Sequence, residues 1–384
     1  MNHYKYQQTK QIIETHFSSR LKYHSVTKDI YLDNEIFKIA EFRAEVEENH
    51  SILLDIDKYV YERAYLCAKN NPFNPLEDYL EDCIKKHPNV DSQKVFEKLS
   101  EKGLHIDPHN LEAKYLSTTL VGAVARVYDP GCKFDTVLIL KGSQGFSKTS
   151  FFQELASNEY FSSINLQNYS KDELMICNSK WMLELGECED TIKPYSMSKL
   201  KSFITKQEDT FRKPYADKPI TVKRSFILVG TTNQDQFLVD PTGNRRFWVI
   251  DINQKIDIEW IKQNRDLIWA AAVKAYKDNY PVYLNETEQQ ISNAMNMNHQ
   301  ESDMWEDLVI NWVLEQQEPF TLSDVLVQAI GKEPKSWKRS DATRVTSILE
   351  SMGLEKPDKA TRVKGKDQPG KYWHPSQLSS CVTS

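Results

Sequence analysis

The first twenty residues, Met1 to Arg20, lack the apolar stretch that a secretory signal needs. No uninterrupted apolar run in the sequence approaches the length that spans a bilayer. Both absences lead to the expectation of a cytoplasmic protein with no membrane contact. Six cysteines stand at Cys67, Cys83, Cys132, Cys177, Cys188 and Cys381, without a single C-x-x-C pair. No Cys/His set has the spacing of a four-ligand zinc site, so buried free thiols are expected and no structural metal is indicated. Internal repeats and low-complexity segments are missing. So is any paired-aspartate metal motif suited to nucleotide polymerisation, which argues against primase activity.

What is present suits a globular chain. Of 384 residues, 40% are apolar and 27% charged, enough for two or three domains, each with its own core. The net charge of −6 argues weakly against a nucleic-acid partner. Locally the balance reverses. Residues 200–228 carry seven Lys or Arg against three acids, and residues 321–384 carry eleven against seven. Basic charge clustered in this way attracts phosphate even when the total is negative.

Three blocks follow one another. Residues 1–110 read as mostly helical and acidic, with helical apolar spacing over Ile36 to Ala44, Val60 to Cys67 and Leu76 to Ile84. A longer helix is expected from Leu111 to Tyr128. After Asp129-Pro130-Gly131, short β-branched runs alternate with helices: Thr136 to Leu140, Trp181 to Leu185, Ser225 to Gly230 and Phe247 to Ile250. Buried strands separated by helices predict a parallel α/β sheet, and Ile256 to Tyr276 returns to helix. From about residue 301, helices at Trp305 to Leu314, after an N-cap at Thr321, and at Ser340 to Met352 precede a basic, turn-rich stretch. That is the layout of a winged helix. The expected division is 1–110, 111–300 and 301–384.

Five motifs carry chemistry. Gly142-Ser143-Gln144-Gly145-Phe146-Ser147-Lys148-Thr149, followed by Ser150, lies between an expected strand and an expected helix. In that context small residues let backbone N–H groups curl round phosphates at a helix N-terminus. Lys148 is placed to reach the β- and γ-phosphates, and Thr149 to offer its hydroxyl to Mg²⁺. Ser147 stands where glycine is usual, which suits a backbone position that needs no positive φ. The second motif, Lys180 to Glu187, is a strand ending in carboxylates. Glu187 is placed to activate water, and Glu184 faces either the site or solvent. The third, Phe226 to Asn233, ends a strand in Thr-Thr-Asn, delivering the Asn233 amide beside a γ-phosphate. The fourth, Asp240 to Trp248, sets Arg245 and Arg246 on a turn before a strand, where one of them can serve a neighbouring subunit's phosphate. The fifth, Asp209 to Arg224, is basic and folds as a hairpin with Ala216-Asp217-Lys218 near its tip. Arg212, Lys213, Tyr215, Lys218 and Lys223 are its candidate DNA contacts.

In this order the motifs resemble the virulence-associated protein E family, a branch of the superfamily 3 helicase-like AAA+ ATPases of phages and mobile elements. The match is most specific over residues 136–250. The resemblance implies an α/β P-loop AAA+ core with a parallel sheet, flanked by an N-terminal helical domain and a C-terminal winged-helix domain. It implies a homo-hexameric ring that translocates on single-stranded or forked DNA, or loads at an origin duplex, using ATP and Mg²⁺. Lys148 and Thr149 then form the Walker A pair, and Glu184 with Glu187 the Walker B acids that hold the metal with Thr149. Asn233 becomes sensor 1, Arg245 or Arg246 the arginine finger, and Lys213 to Lys218 the pore hairpin.

Two other readings compete. One is a nucleotide-gated DNA-binding initiator or regulator that does not unwind. The other, a P-loop kinase of a small metabolite, has no use for Thr-Thr-Asn followed by paired arginines, nor for a basic C-terminal block.

Overall fold

The computed structural model describes residues 2–25, 27–54, 56–164, 170–186, 192, 197–212, 219–239, 244–300, 304–362 and 369–375. The chain divides into two compact units, residues 1–300 and 301–384.

The first unit begins with helix α1 (Asn2–Ile12), then strands β1 (Leu21–His24), β2 (Ile30–Leu32) and β3 (Glu35–Ile36). Helices α2 (Ile39–His50) and α3 (Asp57–Lys69) and strand β4 (Pro72–Phe73) follow. The four strands form one sheet in the order β3-β2-β1-β4. Helices still make up most of the described residues ahead of Leu111, and the small sheet is an addition that the sequence pattern does not announce. Strands of two to four residues leave no long apolar run to detect. Their one local signal is Asp33-Asn34, both at positive φ (52° and 71°) between β2 and β3, as a two-residue hairpin turn requires. Ile36, expected on a helix, lies in β3.

Helices α4 (Pro75–Lys86), α5 (Ser92–Lys98) and α6 (Leu111–Tyr128) come next. Asn110 caps α6 by accepting from the Ala113 N–H at 2.9 Å. Helix α6 is apolar nearly all round and buried nearly throughout, so it runs through a core rather than over one. Gly122 on it lies against Phe134, whose Cε2 would stand 2.3 Å from any added Cβ. Leu76 and Leu80 of α4 and Val95 and Phe96 of α5 share one apolar cluster with Leu116, Leu120, Trp181 and Trp269. The boundary expected near residue 110 falls inside that cluster, because the amphipathic faces of α4 and α5 are buried against the same core as α6.

The central sheet is built from β5 (Val137–Gly142), β6 (Phe161–Ile164), β7 (Met182–Leu185), β10 (Ile227–Thr232) and β11 (Phe247–Ile252). Its order is β11-β5-β10-β7-β6, and every pair is parallel. Period-two alternation decides which side each residue serves. Leu138, Leu140, Met182, Ile227 and Val229 join the cluster around α6. Val137, Ile139, Leu183, Leu185 and Leu228 join a second cluster with Leu200 and Phe203. Helix α7 (Lys148–Ala156) follows β5, α8 (Lys171–Asn178) precedes β7, and α9 (Met197–Thr205) precedes a hairpin of β8 (Glu208–Phe211) and β9 (Ile220–Lys223). Helices α10 (Ile258–Lys277) and α11 (Glu286–Met297) complete the unit. Trp181 and Trp269 meet at 4.3 Å between ring centroids, and their indole N–H groups donate to the Ala123 and Leu155 carbonyls, each at 3.0 Å. These two indoles thus fill the core with both of their donors satisfied.

The second unit has helices α12 (Glu306–Leu314), α13 (Leu322–Asp324, continuing as a wider turn over Val325–Ala329) and α14 (Arg339–Ser351). Thr321 caps α13 reciprocally with Asp324. Gly353, at φ 86°, follows the end of α14. Val309, Val313, Phe320, Val345, Leu349 and Trp373 form its core. Antiparallel bridges join Phe320 to Trp373 and Thr361 to Gly370. No helix among the described residues is long and apolar enough to cross a membrane.

Candidate functional site

A cavity of about 500 Å³ opens at the carboxyl ends of the parallel strands, between the β5–α7 loop and the ends of β6, β7 and β10. Crevices at this end of an open α/β sheet are where ligands bind, since loops and helix N-termini converge there. Gln144, Gly145, Phe146, Ser147, Lys148, Thr149, Ser150, Ser163, Glu184, Gly186, Thr231 and Asn233 line it.

The loop takes its shape from two left-handed residues, Gly145 at φ 86° and Ser147 at φ 62°. Ser147 was expected to fit only if its position avoided positive φ; the backbone contradicts this. An L-residue held there costs roughly 1–2 kcal/mol. The conformation persists because Ser147 lies at the mouth of α7, where its carbonyl accepts from the Phe151 N–H at 3.0 Å. Gly142 at the loop's foot packs against β11, and a Cβ there would stand 2.3 Å from the Ile252 carbonyl oxygen.

Lys148 is buried, and its Nζ donates to the Gly142 carbonyl (2.6 Å), the Ser143 carbonyl (2.9 Å) and Asn233 Oδ1 (2.8 Å). Asn233 follows β10 by one residue. Parallel pairing of β10 with β5 sets Thr232 opposite Lys141, which brings the amide beside the loop.

Glu184 is 1% exposed. Its place in β7 puts it on the same sheet face as Met182, opposite Ser163 of β6 and Val229 of β10. The choice between site and solvent thus resolves to the site. Glu184 Oε1 accepts from the Thr149 hydroxyl at 2.6 Å and the Thr231 hydroxyl at 2.9 Å, and Oε2 from the Ser163 hydroxyl. A buried carboxylate needs such donors to remain in place.

Beneath the loop, Lys141 bridges Asp235 (3.1 Å) and Asp251 (3.0 Å). Burial alone would lower its ammonium, but the two carboxylates outweigh it and hold it above the ordinary lysine value. Burial pushes Glu112 up, although the Asp251 N–H and the Asn110 amide both donate to it. His299 is lowered by burial, with Asp251 acting against the shift and Lys141 with it. The His299 carbonyl accepts from the Phe237 and Leu238 N–H groups, each at 2.9 Å, closing the loop that begins at Asn233.

The structure thus brings together the loop residues from Gly142 to Ser150, Glu184 and Asn233. It places the paired arginines elsewhere. Arg245 and Arg246 lie in a 3-10 turn (Asn244–Arg246) ahead of β11, and Phe247 pairs with Val137 at the start of β5. A strand of this length separates that end from the phosphate loop by roughly 16 Å, more than an arginine spans. Arg245 is exposed; Arg246 is half-buried, its Nε without a hydrogen-bond partner among the described residues. The expected hairpin arms exist as the antiparallel pair β8–β9. Lys223 on β9 and Arg212, one residue past the end of β8, are exposed. Lys213, Tyr215, Lys218 and Glu187 lie outside the described residues. Ser163 and Thr231 were missed as site residues. Thr231 was visible in the Thr-Thr-Asn motif, whereas Ser163, in a Ser-Ser pair on an edge strand, carries no sequence signal.

A phosphate-type loop between a parallel strand and a helix, with a buried lysine and a hydroxyl-bound acid, defines a P-loop α/β domain. The chain belongs to the virulence-associated protein E-like domain family, whose model matches residues 80–301. No curated protein matches it. Among solved structures, an A-form apo structure of the NrS-1 C-terminal region is 12% identical, with a TM-score of 0.50, over 92% of this chain and 95% of that one. A second A-form apo structure of that region is 13% identical, also with a TM-score of 0.50, over 93% of this chain and 97% of that one. At such identity the likeness concerns the fold alone.

Proposed function

We propose that the protein is an ATP-dependent DNA helicase of the AAA+ class, working as a homo-hexameric ring in the replication of a phage or mobile element. The observation that carries the reading is the joint placement of Lys148, Thr149, Glu184 and Asn233 around one cavity at the end of β5, β7 and β10.

The residues fit a nucleotide with Mg²⁺. Left-handed positions at Gly145 and Ser147 curl the loop's N–H groups inward, as a phosphate cradle requires. One carboxylate beside one hydroxyl, Glu184 with Thr149, is a donor set for a hard cation that keeps most of its waters. When bound, the metal neutralises charge on the phosphate oxygens. Lys148 exchanges its Asn233 partner for phosphate oxygens while keeping the Gly142 and Ser143 carbonyls, and Asn233 is left to orient the attacking water. Glu187 is assigned to proton abstraction from that water.

The distance of Arg245 and Arg246 from their own loop supports a finger that acts on a neighbour, as a ring demands. Arg245, the exposed one, is the better candidate. The arms β8–β9, with Lys223 on β9 and Arg212, Lys213, Tyr215 and Lys218 between the arms in sequence, are assigned to the DNA backbone in the pore. Residues 301–384, with three helical segments and antiparallel bridges behind them, are assigned to a winged helix that contacts duplex DNA.

Strand displacement on a forked duplex tests the motor. Unwinding that requires hydrolysable ATP supports it. Nucleotide-dependent DNA binding and ATP hydrolysis without unwinding on any fork would instead mark a nucleotide-gated initiator.

A further inference from the structure

Arg224 closes the basic segment in sequence, yet it does not reach solvent. Its guanidinium forks onto Asp209 of β8, Nε to Oδ2 at 2.8 Å and Nη2 to Oδ1 at 2.7 Å. Nη1 donates to the Phe203 carbonyl in α9 at 2.5 Å. The guanidinium carbon lies 4.1 Å from the Phe203 ring centroid and 5.0 Å from that of Phe226. Asp209 Oδ2 also accepts from Asn178 Nδ2, at the end of α8, at 3.2 Å. The Arg224 backbone is held as firmly: its N–H donates to the Gln207 carbonyl at 2.9 Å, and its carbonyl accepts from the Gly131 N–H at 2.8 Å and Arg126 Nη1 at 3.3 Å.

A buried ion pair adds little net stability over apolar side chains of similar volume. What a bidentate fork adds is orientation. Here the orientation concerns two functional parts. Asp209 lies on one hairpin arm, and Arg224 stands between the other arm and β10. Strand β10 runs from this junction to Thr231 and Asn233, which touch Glu184 and Lys148. Strand β7 carries Glu184 and pairs with β10 from Ile227 onward, while α8 ahead of it is tied to the same Asp209 carboxylate through Asn178. The strands that deliver Glu184, Thr231 and Asn233 to the cavity, β7 and β10, are thus referenced to one carboxylate at the hairpin base.

We infer that the Arg224–Asp209 pair is a positioning device that couples the hairpin to the nucleotide site. A strand of DNA that moves the arms then shifts β10 as a rigid element, instead of letting β8–β9 slide against the sheet. Packed side chains and rigid secondary elements of this kind carry energetic coupling between sites. The inference rests on the reading of the protein as a DNA-stimulated ATPase.

The test compares wild type with two variants. Arg224→Met combined with Asp209→Leu keeps the volume between Phe203 and Phe226 and removes both charges, so folding is retained. Arg224→Lys keeps the charge and loses the fork. Basal ATP hydrolysis and affinity for single-stranded DNA stay as in wild type, whereas DNA stimulation of hydrolysis falls by about tenfold in the double variant. Arg224→Lys falls between the two. Undiminished stimulation in the double variant overturns the coupling role, as does a loss of DNA affinity or basal rate matching the loss of stimulation. A wild type that hydrolyses no ATP, or hydrolyses it without any response to DNA, removes the underlying reading itself and the coupling role with it.

Discussion

The Lys148 ammonium donates to the Asn233 side-chain oxygen at 2.8 Å, joining the first helix turn after β5 to the first residue after β10. Two strands that are neighbours in the sheet but far apart in sequence thereby share one hydrogen bond at the cavity. In the proposed reaction this bond gives way to phosphate. Asn233→Ala therefore lowers kcat more than it weakens nucleotide binding, since Lys148 keeps its Gly142 and Ser143 partners. A loss of about 100-fold in kcat is expected, the scale seen when one positioned polar group is removed. An equal loss in nucleotide affinity and no change in kcat contradict it.

Glu184 is held by three hydroxyls, from Thr149, Ser163 and Thr231. Glu184→Gln keeps the shape and removes the charge. ATP binding should survive while hydrolysis falls by about 100-fold or more, giving a variant that traps nucleotide. Calorimetric binding alongside turnover measures both. Ser163→Ala should show a weaker version of the same split.

Ser147 at φ 62° is the strained position of the loop. Ser147→Gly removes strain of roughly 1–2 kcal/mol and returns about 0.5–1 kcal/mol through the freer unfolded chain. A small net gain is expected, read as a rise of about 1–2 °C in the unfolding midpoint of the unit. A fall in the midpoint would show that the serine contributes a contact that outweighs its backbone cost.

His299 is buried and its folded value lies below the ordinary one near 6.5. The unfolded chain therefore binds its proton more readily. Stability from the neutral ring is complete above about pH 6.5 and is lost as pH falls below it toward the folded value. Asp251, Asp235 and Lys141 face this ring, and its carbonyl closes the Asn233 loop. Chemical denaturation between pH 7.5 and 5 should show the loss, and His299→Gln should flatten it. An unchanged slope in the variant assigns the acid sensitivity to another group.

Much of the core was legible in sequence because its signals are local. The bounds of α6 follow from Asn110 as cap and an unbroken apolar helix. Strands β5, β7, β10 and β11 follow from short apolar runs, though each begins or ends one or two residues from where the run suggests. Strand β6 was missed, since Phe-Ser-Ser-Ile alternates without an apolar run. The N-terminal sheet was missed for the same reason. Glu184's side became decidable only when β7 was paired with β6 and β10. The arginines' distance from the loop likewise follows from the parallel pairing of β11 with β5. Arg224 carried no distinct signal within the basic segment, because its partner Asp209 lies fifteen residues earlier and meets it only in the fold.

The central claim is that the cavity at Lys148 hydrolyses ATP in response to DNA. The most direct measurement is phosphate release by wild type and Lys148→Ala, each with and without single-stranded DNA. Wild type should hydrolyse ATP and accelerate on DNA, and Lys148→Ala should lose at least about 100-fold of the rate in both conditions. Absence of wild-type hydrolysis with any DNA present, or full activity in Lys148→Ala, contradicts the account.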